Sequence, residues 1–125
     1  MRFVNWLKSI ITGKVYYYEY VLQVGDKEPV AIRVELPDKG TSTCATSINA
    51  PIGILSINDE GTMNIGTGEA LKPKPVKINS NPLNLEPRLE KIRVNIYANE
   101  KLIAEHSNIK EESTTPLVKV TLKIE

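Results

Sequence analysis

The chain of 125 residues carries one cysteine, Cys44, and one histidine, His106. A lone thiol cannot close an internal disulfide, and one thiol with one imidazole falls short of the ligands a zinc or other transition-metal site needs. No metal and no other cofactor is expected. A phosphate-cradling loop is missing too: Gly66-Thr67-Gly68 has no third glycine at the required offset, no lysine and no helical pattern behind it, and reads as a turn or bulge. No apolar run approaches the roughly 18 residues of a spanning helix, so an integral membrane protein is not expected. Asn5, Lys8 and Ser9 interrupt what would be the apolar stretch of a secretion signal, and no asparagine opens an Asn-x-Ser/Thr acceptor. The expected setting is the cytoplasm, or a particle assembled inside a cell.

Charge of one sign is also scarce. Lys and Arg number 16 against 15 Asp and Glu, a net charge of +1, which argues against a dedicated nucleic-acid binder. The charges are unevenly placed. Residues 1–14 hold Arg2, Lys8 and Lys14 with no acid, and residues 72–77 hold Lys72, Lys74 and Lys77 with no acid. Between them, residues 40–71 contain no Lys or Arg, only Asp59, Glu60 and Glu69.

Nucleophile and base must meet within hydrogen-bond reach, and nothing in the sequence arranges this. His106 ends an expected strand between Glu105 and Ser107, which point to the opposite face, and it reads as a surface or loop histidine. Cys44 has no nearby cation to activate it and reads as a buried, inert thiol. Asp59 and Glu60 are two adjacent acids in a turn, too few for a calcium loop. No pair of carboxylates is singled out for glycoside chemistry. The expectation is a protein that is not an enzyme.

The first residues follow a helical period. At about 100° per residue, Trp6, Ile10, Phe3, Leu7, Ile11 and Val4 fall on one continuous arc, with Lys8, Thr12, Asn5, Ser9 and Arg2 on the other. Gly13 stands where a helix stop is expected. The spacing predicts an amphipathic helix over residues 1–13, marginal alone because nucleation is costly at this length. Its apolar face must dock on its own sheets, on a partner or on a membrane surface.

From Lys14 onward the period becomes 2. Alternation over residues 15–24 and 30–36 around the turn at 25–28 predicts a hairpin. Further strands are expected over 41–49, 52–57, 62–66, 76–79, 92–97, 102–106 and 117–124, with Pro73 and Pro75 stiffening a connector that reads as a sheet-to-sheet crossing. Eight or nine short strands with regularly spaced turns predict a single all-β domain over residues 14–125, an antiparallel β-sandwich whose strand order, immunoglobulin-like or jelly-roll, the pattern leaves open.

Three binding readings follow. In the first, Phe3, Trp6, Leu7, Ile10 and Ile11 insert into a groove on a second copy or another subunit, and unguarded strands from residues 40–71 add main-chain pairing. That makes the chain a structural or assembly module: a virion component, a filament subunit or an adaptor. The bland alternative is that these strands are central in their sheets and need no guard. In the second, Tyr16, Tyr18 and Tyr20 form an aromatic sheet face for a carbohydrate or other ligand, against the bland reading that they fill the core. In the third, the helix adsorbs weakly to a membrane.

Overall fold

The structure, a computed structural model, describes residues 6–12, 15–36, 43–83, 92–107 and 117–125. In chain order these form β1 (Trp6–Thr12), β2 (Val15–Leu22), β3 (Pro29–Glu35), β4 (Thr43–Ala50), β5 (Gly53–Asn58), β6 (Gly61–Thr67), the one-turn helix α1 (Gly68–Leu71), β7 (Val76–Leu83), β8 (Arg93–Ala98), β9 (Lys101–Ser107) and β10 (Leu117–Ile124). The strands make two sheets, one of six in the order β1-β2-β10-β7-β4-β5 and one of four in the order β6-β3-β8-β9. Period-2 alternation accounts for this. On β3, Val30, Ile32 and Val34 are fully buried while Arg33 is exposed, and on β10 Val118, Val120 and Leu122 turn inward. The inward faces of both sheets meet in one continuous apolar core.

The chain is all-β and the sandwich is as expected, with two differences. Pairing is not antiparallel throughout, because β10 runs parallel to β2, from Leu117 opposite Val15 to Ile124 opposite Leu22. The ladder extends beyond both strands, with Glu125 N donating to Leu22 O at 2.8 Å and Val24 N to Glu125 O at 3.0 Å.

The second difference is the opening segment. Over Trp6–Thr12 the chain is not the expected amphipathic helix but strand β1, antiparallel to β2 in an unbroken register from Trp6 opposite Val21 to Thr12 opposite Val15. Phe3 and the rest of residues 1–5 lie outside the described residues. The physical reason is competition. A lone helix of this length gains little, whereas β2 without β1 would leave one row of backbone groups unpaired. Ile10, Ile11 and Thr12 are β-branched and favour extended backbone. Only two residues separate the paired Thr12 and Val15, and one is a glycine, a spacing that suits a tight hairpin as well as it suits a helix stop.

Turn chemistry fixes the rest. Asn99 and Glu100 both take positive φ, 51° and 66°, the backbone of a two-residue hairpin turn between β8 and β9. The helix α1 starts at Thr67, whose hydroxyl accepts from Ala70 N, and packs on the β2–β3 turn: Gly68 N donates to Glu28 O at 3.0 Å, and a side chain at Gly68 would collide with the Gly25 carbonyl. Lys72 forms an ion pair with Asp26 beside it. The segment with Pro73 and Pro75 carries the chain from β6 in one sheet to β7 in the other, the expected crossing. No helix among the described residues is long and apolar enough to cross a membrane.

Candidate functional site

Residues 40–71 place their strands as follows: β4 lies inside the six-stranded sheet, but β5 and β6 are edges, one of each sheet. A tight turn joins them. Asp59 takes φ 61°, its N–H donates to Cys44 O at 2.7 Å, and its carboxylate accepts from Cys44 N at 2.9 Å. Glu60 accepts from Leu36 N at 3.0 Å. The acids of this turn are engaged in anchoring backbone, a sufficient account of their presence without a cation; among the described residues no group of three or more potential ligands converges.

The two edges differ. The β3–β6 pairing shifts register between Val30 and Ala31, and the β8–β9 pairing shifts between Ile96 and Tyr97, so both edges of the four-stranded sheet are irregular. Such irregularity blunts an edge against strand addition. The β4–β5 register runs unbroken from Ala45 opposite Asn58 to Ala50 opposite Gly53. At the hairpin end of β5 large apolar side chains stand in water, Ile52 of the turn 68% and Ile54 of the strand 73% exposed. Beside them, Ser47, Ser56, Asn58, Asn79 and Asn81 line a shallow hollow of about 240 Å³, with hydroxyl and amide groups and no charge. This edge is unbroken in register, apolar at its hairpin end and free of Lys, Arg and Pro from Gly53 to Asn58.

A second feature lies in the core. His106 on β9 is 2% exposed and faces β2, its ring centroid 4.3 Å from that of Tyr18, with Nδ1 2.7 Å from the Tyr20 hydroxyl. Nε2 has no hydrogen-bond partner among the described residues. Burial penalises the charged ring and pushes its pKa down to about 4, and burial likewise pushes the Tyr20 phenol up to about 12. Histidine is thus a neutral core residue, not the surface residue expected. The alternation around it carried the signal, since Glu105 outward requires His106 inward.

Tyr18 and Tyr20 are 7% and 6% exposed and fill the core, which leaves no ring face for a sugar to stack on; Tyr16 also lies on β2. Tyr17 of that strand is exposed, with the Lys119 ammonium 5.7 Å from its ring centre. Trp6, Leu7, Ile10 and Ile11 lie on β1, at the edge of the six-stranded sheet opposite β5. Cys44 is buried on β4, where burial raises its thiol pKa.

The outer face of the four-stranded sheet carries a polar network. Glu35 accepts from Arg33 Nε at 3.0 Å, Asn95 Nδ2 at 3.2 Å and Arg93 Nη1 at 3.4 Å. Beside it Arg33, Thr62, Asn64, Tyr97 and Glu100 line an open hollow of about 690 Å³. The guanidinium of Arg33, which lines it, is held by Glu35.

No protein-family model matches the chain, and no curated protein matches it.

Proposed function

We propose that this protein is a non-enzymatic structural or assembly module that joins to protein subunits through its sheet edges, with β5 as the docking strand. One observation carries the reading: β5 is a regular edge with its own Ile54 and Ile52 of the preceding turn in water, and no Lys, Arg or Pro from Gly53 to Asn58. The bland account of residues 40–71, that their strands are interior and need no guard, holds for β4 but not for β5. The reading keeps the partner as protein and the setting as a filament or particle subunit, while the docking element moves from an apolar helix face to strand edges.

Magnitudes make each contact weak. A six-residue strand addition gains about 5 kcal/mol net from main-chain hydrogen bonds at roughly 1 kcal/mol each. Covering two isoleucines adds about 4 kcal/mol at 1.5 to 3 kcal/mol apiece when fully buried. Association costs on the order of 4 to 15 kcal/mol in lost freedom, so one edge gives a marginal affinity and repeated contacts give a stable assembly.

The test is the double substitution Ile54→Lys with Ser56→Lys. Both positions are exposed, so circular dichroism and melting stay those of the wild type, while light scattering at about 100 µM shows the wild type associated and the variant monomeric. A wild type that is monomeric at that concentration refutes the reading.

A further inference from the structure

We infer that the outer face of the four-stranded sheet carries a binding site for a neutral saccharide, centred on the paired residues Ala31 of β3 and Tyr97 of β8. The site lies on the other sheet from β5, so the inference goes beyond the proposed docking role and does not depend on it. Three observations carry it.

The first is how the hollow is built. Ala31 sits on an interior strand, opposite Asn64 of β6 on one side and Tyr97 on the other. A methyl group between two longer side chains makes a low floor. The β3–β6 register shifts between Val30 and Ala31 and the β8–β9 register between Ile96 and Tyr97, so an irregularity falls at this one level on both flanks. Bulges re-aim side chains and sharpen the local twist, and they recur next to active sites. The resulting volume, about 690 Å³, is in the range of small-ligand sites. From Pro29 to Arg33 it runs about 13 Å at the rise of a strand, room for a disaccharide.

The second is which groups are left open. Thr62 and Asn64 are exposed, and among the described residues no hydrogen bond engages either side chain. Glu35 takes Arg33 through Nε, which leaves the two terminal amino groups of that guanidinium unengaged among the described residues. Glu100 stands at the other end, on a left-handed backbone with φ 66° that suits glycine better than glutamate. A hydroxyl, an amide, a guanidinium and a carboxylate thus surround one aromatic ring, with donors and acceptors both on offer.

The third is the balance of this chemistry. Arg33 and Glu100 cancel in charge and Glu35 already holds the guanidinium, so the hollow does not select phosphate or another anion. Its apolar lining is limited to Pro29, Ala31 and the half-buried Tyr97, too little for a lipid. A sugar ring has the matching composition: hydroxyls around its rim for the polar groups, and a C–H face for the tyrosine.

The experiment is an amide NMR titration of the full chain with cellobiose, maltose, lactose and chitobiose in turn, and with inorganic phosphate. At least one of the sugars shifts the resonances of Ala31, Asn64 and Tyr97 with a dissociation constant on the order of 1 mM, while phosphate does not. Asn79 and Asn81, which line the hollow on the other sheet, stay in place. Asn64→Ala removes hydrogen bonds and Ala31→Leu fills the floor; each leaves the circular dichroism unchanged and weakens the sugar about tenfold. The inference is overturned if none of the four sugars moves these residues, if phosphate alone moves them, or if both variants bind as the wild type does.

Discussion

His106 shows what a single buried polar group does to the pH response. Its pKa is about 4 in the fold against an ordinary 6.5, because the charged ring would lose its water in the core. The unfolded chain therefore binds a proton more readily than the folded one. The stability this residue contributes is complete above about pH 6.5 and falls as the pH drops toward 4, by about 1.4 kcal/mol per unit and up to about 3 kcal/mol in all. Denaturant titrations between pH 7 and 4 should show that slope, and His106→Phe should flatten it. An unchanged slope in the variant would mean that other groups govern acid unfolding. The tautomer in which the Tyr20 phenol donates to Nδ1 leaves the buried Nε2 proton without a hydrogen-bond partner among the described residues, an unmet donor of the kind that costs about 1 to 3 kcal/mol. The sequence showed a lone histidine at a strand end. It could not show that Tyr20, far away in the chain, lies opposite, because that contact is made only when the two sheets close.

Among the elements, β1 is where local pattern and structure part. A clean helical arc of apolar residues and a glycine stop both describe residues 1–13 well, yet the tertiary neighbour β2 offers a full ladder of hydrogen bonds that an isolated short helix cannot match. The same β-branched residues that sit acceptably on a helix face sit better on a strand. Carbon chemical shifts of Trp6–Thr12 should accordingly be those of extended backbone; helical values there would restore an amphipathic helix and remove strand β1 from the sheet. The remaining strands were legible because Val30, Ile32 and Val34, or Val118, Val120 and Leu122, alternate without interruption. Turns were legible where their chemistry is local, as at Asn99 and Glu100. Which strands become edges was not, since edge and centre differ by neighbours that are distant in sequence.

For the whole molecule, the sandwich follows from alternation and turn spacing, but the parallel β2–β10 pair does not, because nothing in residues 15–22 or 117–124 names its partner. The most direct measurement is residue-resolved amide hydrogen exchange at β5 as a function of protein concentration. Protection of the outward amides of Gly53–Asn58 should rise with concentration, while amides between β4 and β7, already paired inside the sheet, stay as they are. If the β5 edge exchanges equally fast at every concentration, nothing covers it and the docking account is wrong.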